Sequence, residues 1–463
     1  MNNVIGRRGL RAALLSSALL AGAAPLWAES VFDAPAEFTG MVQFMPSGAS
    51  AIYAGDEIEV RGDRFAPGQE IRLLRGTAAL GEGIVADAEG KFAFRTTLPG
   101  DAALGLHPVV VQTEAPDSAT VITLKVSPEI PLSGAERFDI AAVAAGPGLY
   151  QVAVSDKNGW LFVTSANGRP PVKESKLQKL DARTLGLLAE VTPADAPARG
   201  DREGGVHAVY GVGVDDANGT VWVTNTRQET VAVYRQDDLS LVKQFEPGVV
   251  PHARDVVVDA AAGRAYASTS TTGQIAVFDT ATLEVLEPIR IASKQRGGEF
   301  GAMSLALDAE GGKLYTVSLN TPEVARVDLA TGAADVFALP TAQRGAGIAA
   351  DPATGRMFVV AQGTDNLVAL DAGGKVLYDV PVGAGPLNVA WHKGANLLVV
   401  TNRAAGTLTA VNADDGQIVA NLDGGSFPNH VAVAADGTIY AVNKRRGAED
   451  ATGDHVRSLR LKD

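Results

Sequence analysis

Along most of the chain, apolar and polar residues alternate in short runs, each bounded by Gly, Asp, Asn or Pro. Few long helical periods interrupt them, so the pattern predicts an all-β chain. One unit recurs from Gly146 onward. An apolar run enters a D-x-x-x-G-type turn, and a second apolar run leaves it and ends on a small polar residue. The copies are VAVSDKNGWLFVTSA from Val152, VGVDDANGTVWVTNT from Val212, VVVDAAAGRAYASTS from Val256 and LALDAEGGKLYTVSL from Leu305. IAADPATGRMFVVAQ from Ile348, VAWHKGANLLVVTNR from Val389 and VAVAADGTIYAVNKR from Val431 complete the series. A second hairpin, such as QIAVFDTATLEVLEPI from Gln274, lies between most copies.

After the first interval the copies start 41 to 49 residues apart, the period of a four-stranded blade. Seven copies predict a seven-bladed β-propeller over residues 134–463, with strands A to D running outward from the axis. The last copy stops after a third strand, HVRSLRL from His455. RFDIAAVA from Arg137 is the expected fourth, which closes the ring and removes its open edges.

Residues 29–133 carry a different pattern. Alternating runs begin at Glu57, Glu70, Lys91, His107 and Ala119, separated by turn residues. About seven short strands in such a span predict an antiparallel sandwich, immunoglobulin-like in architecture although it has no Cys–Trp–Cys core. Ahead of it, Arg7, Arg8 and Arg11 precede an apolar stretch to Trp27, and Ala28 is a suitable cleavage point. Residues 1–28 therefore read as a signal peptide, which implies a periplasmic protein. Sec export is the first expectation, and Arg7-Arg8 also admits the twin-arginine route.

Composition sharpens this picture. The formal charge is -13. It becomes about -16 once the three leader arginines are removed. Such a surface disfavours non-specific binding to nucleic acid or membranes by the molecule as a whole. Cysteine is absent, which excludes disulfides, thiolate metal sites and haem attachment through C-x-x-C-H. No complete cofactor or metal motif appears, so no cofactor is expected.

The acidic turns between strands A and B, at Asp215, Asp216, Asp259, Asp308, Asp351 and Asp414, read as hairpin chemistry. The opposite face, built from the B–C and D–A loops, is basic despite the acidic total. It carries Arg169, Lys173, Arg227, Arg254, Arg403, Lys444, Arg445 and Arg446, with Tyr150, Tyr210, Phe300 and Phe427 as its aromatics. Such a face attracts anions. Polar residues at strand ends are expected around the channel mouth. They are Asn225, Asn402 and Asn443 after strand B, and His207, His252, Asn388, Asn429 and His430 before strand A. The binding set read from the sequence is Arg169, Lys173, His207, Asn225, His252, Arg254, Asn388, Asn402, Asn429, His430, Asn443, Lys444 and Arg445.

The strand-B endings VWVTN, LLVVTN and IYAVN resemble the YVTN propeller signature. Together with HARDVVVD from His252 and FPNHVAVAADGTIYAVNKRRG from Phe427, they make residues 134–463 similar to the YncE family of periplasmic propellers. That resemblance implies a non-enzymatic binding or scaffold protein, and the basic face makes an anionic small molecule or a protein its expected partner. The resemblance also implies a link to iron or nutrient uptake with an outer-membrane transporter. Two alternatives stand beside it. One is a metal-dependent propeller lactonase or lyase, for which the histidines lack a carboxylate partner. The other is a single-stranded DNA-binding protein, which would interleave aromatic and basic residues.

Overall fold

The computed structural model describes residues 36–48, 50–198, 200 and 203–462. The expected leader, and Arg199, Asp201 and Arg202 of the first long D–A loop, lie outside the described residues.

Seven four-stranded antiparallel sheets make up the larger part of the molecule. They span residues 149–191, 212–244, 253–290, 302–338, 345–381, 386–423 and 428–461, and we call them blades 1 to 7. Their innermost strands pack side by side in a closed circuit, and the first touches the last. The final blade takes its outer strand from far upstream. Phe138–Ala144 pairs antiparallel with His455–Leu461, in register from Phe138 against Leu461 to Ala144 against His455. The ring is thereby closed with the strand expected from the sequence.

Apolar side chains alternate along each strand and fill the gaps between neighbouring blades. Between blades 2 and 3, Trp222, Phe245 and Phe278 form one buried aromatic cluster. Across the closure, Leu149, Val152 and Leu161 of blade 1 share a core with Tyr440, Val442 and Val456 of blade 7.

Polar groups on the inner strands tie the blades together. In six blades strand A is bulged near its start, which breaks the ladder to strand B locally. The polar residue at that point serves the next blade. Gln151 Oε1 accepts from Val212 N at 2.9 Å, and Asp255 Oδ2 accepts from Leu305 N at 3.0 Å. Asn388 Oδ1 accepts from Val431 N at 3.1 Å. His430 Nδ1 accepts from Val152 N at 3.4 Å, across the closure. Ser304 donates to Ala346 O at 2.6 Å. Glycine holds the equivalent place in blades 2 and 5, where the next blade approaches too closely for a side chain. A Cβ on Gly211 would lie 2.7 Å from Arg254 O, and one on Gly347 2.7 Å from Asn388 Cα.

The A–B turns on one face of the ring are held by their acidic residues. Asp215 Oδ1 accepts from the backbone of Ala217 and Asn218, Asp259 from Ala262, and Asp308 from Gly311. These are the hairpin bonds that Asp provides in tight turns.

The N-terminal part is two facing sheets around one core. One sheet comprises Met41–Pro46, Glu57–Asp63 and Phe92–Thr97. The other contains Glu70–Arg75, Gly105–Thr113 and Ser118–Val126, with two short strands at its edge. Ile58, Val60, Leu73, Val109 and Val111 are the most deeply buried members of the core between them.

This sandwich rests on the B–C face of the ring. Lys125 Nζ pairs with Asp365 Oδ1 at 2.8 Å and donates to Gln362 O at 3.0 Å, both beside the B–C turn of blade 5. Asn421 of blade 6 holds the connecting chain through Ile130 O and a two-way backbone bridge with Ser133.

Candidate functional site

The mouth of the ring on the B–C face is organised around Tyr150, at the start of the inner strand of blade 1. Its ring packs edge-on against Tyr210 of blade 2, with centroids 4.5 Å apart. The Arg254 guanidinium of blade 3 lies 5.1 Å from the Tyr150 ring centre, and Lys444 Nζ of blade 7 lies 5.5 Å from it. Arg403, from the B–C turn of blade 6, sits 4.9 Å from the Phe427 ring, with Arg446 at 5.1 Å from the same ring. Arg227 of blade 2 hydrogen-bonds the Tyr210 hydroxyl. Aromatic faces hold cations in this way at modest desolvation cost.

Arg403 and Lys444 hydrogen-bond to neutral groups. Arg403 Nη1 donates to Asn429 Oδ1 at 2.5 Å, and Lys444 Nζ donates to Ala166 O at 3.1 Å. Arg254 Nη1 is buried without a hydrogen-bond partner among the described residues. Carboxylates also lie within electrostatic reach. Asp454 is paired with Arg445 Nε at 3.2 Å. Asp255 is fully enclosed, its oxygens taken by Gln151, Val256 N and Leu305 N. Burial pushes the Asp255 carboxyl above its ordinary range, which weakens it as a counter-ion to Arg254.

Titration behaviour follows from this excess of positive charge. Burial alone would raise Tyr150, but Arg254, Arg403, Lys444 and Arg227 outweigh it and hold the phenol below its ordinary value. Lys444 is pushed down first by burial and further by Arg403 and Arg227, with Tyr150 and Asp454 opposing. Burial and Arg254 also push down Arg403, again against Tyr150. Desolvation, followed by Arg254, lowers His430 from 6.5 to about 3, so its imidazole is neutral at ordinary pH. These groups press on one another because several like charges share one desolvated mouth.

The residues expected from the sequence separate into distinct places. Arg254 and Lys444 meet at Tyr150, and Asn429 joins them by holding Arg403 while donating to Leu149 O at 3.0 Å. Asn388 and His430 lie within strand A and serve the inter-blade belt. Asn225, Asn402 and Asn443 are buried and bond within their own blades. Asn225 accepts from Gln244 Nε2, Asn402 donates to Thr407 and Thr409, and Asn443 donates to Ser426 O and Thr452 O. His207 is buried, with Nδ1 3.0 Å from Ala194 O. Arg445 is neutralised by Asp454. Arg169 is exposed on the first B–C loop, and Lys173 faces Glu203 at 3.5 Å with both side chains in solvent. His252 lines a groove beside the mouth rather than the mouth itself. Among the described residues no cluster of three or more His, Asp or Glu is placed to hold a metal ion.

The sequence did not single out Tyr150, Arg227 or Arg403 within the basic loops. One signal was present in the repeats. The residue just before each belt position is, in blade order, Tyr150, Tyr210, Arg254, Met303, Ala346, Leu387 and Asn429. It is polar or aromatic in blades 7, 1, 2 and 3 and apolar in blades 4, 5 and 6. Aligning the copies marks the sector where the charged side chains converge.

The fold and this mouth define an all-β propeller-like protein with a basic, aromatic-lined axial site. The chain matches no protein-family model. Its sequence is similar to the uncharacterized protein YncE of Salmonella typhi, 25% identical over 333 residues that cover 67% of this chain and 87% of the relative. YncE of Salmonella typhimurium matches to the same extent. The homology and the structural likenesses support a YncE-like propeller. U3-55K aligns with a TM-score of 0.57 at 10% identity, covering 71% of this chain and 99% of the other. A Kuenenia stuttgartiensis hydrazine synthase chain aligns at 0.52 and 18% identity, covering 65% and 94%. At these identities the structural likenesses show the fold alone.

Proposed function

We propose that this protein is a periplasmic, non-enzymatic binding propeller whose B–C face captures an anion at the axial mouth. The observation that carries this reading is the convergence of Arg254, Arg403, Lys444 and Arg227 on Tyr150. Arg403 and Lys444 hydrogen-bond to neutral groups, and one guanidinium nitrogen of Arg254 is buried and unbonded among the described residues. A folded protein tolerates incompletely compensated charge poorly, and a bound anion would relieve it. The N-terminal sandwich, immunoglobulin-like in architecture, acts as a rigid flank to this face. The uptake setting implied by the YncE resemblance suits an anionic nutrient or anionic chelate delivered to or from an outer-membrane transporter.

The rings at the mouth are poor platforms for stacked bases. Cations already lie over Tyr150 and Phe427, and Tyr210 is buried. Single-strand binding requires open aromatic faces. The test is calorimetric titration of the purified protein with inorganic phosphate, citrate and an oligothymidylate. At least one small anion should bind, and Arg254→Met with Arg403→Met should weaken it by about tenfold or more, as expected for losing charge-assisted bonds of about 1.5–3 kcal/mol. Unchanged anion affinity in the double variant would sink the proposal.

A further inference from the structure

A groove of about 490 Å³ opens beside the axial mouth, between the first B–C loop and blades 2 and 3. One wall is apolar, formed by Pro171, Val172, Pro197 and Pro247, while Glu203 and Glu229 bring carboxylates to the same groove. Two contacts make it continuous with the mouth. Arg227 lines the groove and also acts on Tyr150 and Tyr210. Val172 is buried in the same apolar cluster as Tyr210, against which Tyr150 packs.

This volume is far larger than an inorganic oxyanion requires and falls in the range of sites for organic ligands. Its chemistry is also polarised. Positive charge is concentrated at the Tyr150 end. The groove end offers proline rings together with Glu203 and Glu229. Glu203 faces Lys173 in solvent, and Arg227 lines the groove together with Glu229. A single anionic head with an uncharged apolar body fits this arrangement, the body lying on the proline rings.

Building on the anion-binding reading above, we infer that the ligand is an amphiphilic monoanion. Its head sits among Arg254, Arg403 and Lys444, and its apolar body lies along the proline wall. Arg227 stands at the junction and orients the head toward Tyr150. Burial of each methylene of such a body strengthens binding about three- to fourfold.

Straight-chain monocarboxylates from butanoate to decanoate are the probes, titrated calorimetrically below their micelle-forming concentrations, with inorganic phosphate in parallel. Affinity should rise with chain length, on the order of a thousandfold between butanoate and decanoate when all six added methylenes are buried. Pro197 and Pro247 are both exposed, so Pro197→Glu and Pro247→Glu change the groove without disturbing the core. Each should weaken decanoate about tenfold and leave phosphate unchanged. Arg254→Met should weaken both.

The outcomes are separable. Affinity independent of chain length, but still lost in Arg254→Met, overturns the amphiphile and leaves the anion site standing. Decanoate binding that survives Arg254→Met with Arg403→Met is greasy adsorption and also overturns it. Oligothymidylate binding tighter than decanoate overturns it in favour of a polyanion. If neither carboxylates nor phosphate bind at all, the anion-binding reading itself fails.

Discussion

At the scale of single residues, Tyr150 is the group whose behaviour reports on the site. A phenol in an ordinary buried setting is pushed up, as Tyr234 is, to about 12 by burial. Tyr150 is half-buried, and although burial pushes it up as well, the surrounding cations hold it below its ordinary value. The sign for ligand binding follows. When Tyr150 loses its proton the mouth loses one unit of net positive charge, and an anion there is held less tightly. Lys444, also lowered, acts in the same direction when it deprotonates. Anion affinity is therefore expected to be flat through neutrality and to fall as the pH rises toward 10. Tyr150→Phe should shift the onset of that fall to higher pH, leaving the contribution of Lys444. The phenolate absorbance near 295 nm should disappear from the low end of the alkaline titration in the same variant. An identical pH profile in wild type and Tyr150→Phe would remove Tyr150 from the site. Much of this was not legible residue by residue. Asn388, His430 and Asn443 have the right residue types for ligand contact, but inner-strand bulges and B–C hairpins leave backbone groups that need partners. Buried polar groups must be bonded, and those asparagines and that histidine meet the demand.

At the scale of elements, the repeat carries most of the fold. The alternation of strands A and B, the Asp-led turns and the short last copy predict both the four-stranded sheets and the closing strand found at Phe138–Ala144. The belt between blades was hidden because its residues share a position and a role but not a chemistry: Gln151, Asp255, Ser304, Asn388 and His430, with Gly211 and Gly347 between them. His430 is the one member whose role depends on pH. Its neutral Nδ1 accepts from Val152 N where blade 7 meets blade 1. The folded-state value of about 3 lies below the ordinary 6.5. Between these values the unfolded chain binds a proton that the folded ring does not. Stability is thus fully present above about pH 6.5 and is lost as the pH falls toward 3, at up to about 1.4 kcal/mol per pH unit. Asparagine already performs the same task at position 388. His430→Asn should match wild type in urea unfolding near pH 7.5, within about 1 kcal/mol, and exceed it near pH 5. A variant that loses the same stability as wild type on acidification would show that the closure is not the titrating contact.

At the scale of the whole molecule, the sandwich is set on the functional face rather than beside it. Asp365 is 1% exposed and Ala404 of blade 6, which follows Arg403, lines a cleft with Lys125 and the sandwich edge strand. Blades 5 and 6 are therefore flanked, and the open approach to the mouth lies over blades 1 to 3, where the groove runs. Nothing in the strand pattern of residues 29–133 announces this docking. It rests on one lysine near the end of a strand and on an aspartate in the B–C turn of blade 5. The energetics of that pair are asymmetric. Lys125→Met strands the Asp365 carboxylate in a buried site, where among the described residues it keeps only the Gly385 N–H as a hydrogen-bond donor, at 2.8 Å. Breaking a buried pair from one side is costly, and the part-exposed lysine moderates this to roughly 1–3 kcal/mol. Asp365→Asn removes the buried charge, keeps an oxygen for Gly385 and frees Lys125 to reach solvent, so it should cost less. The double variant should be more stable than Lys125→Met alone, a coupling that a double-mutant cycle measures. Proteolysis of the connection at residues 127–134 gives the second readout, accelerated most in Lys125→Met. If the two single variants are equally destabilised and the double variant is simply their sum, the pair does not hold the sandwich to the face. Access to the mouth is then set by the B–C and D–A loops alone.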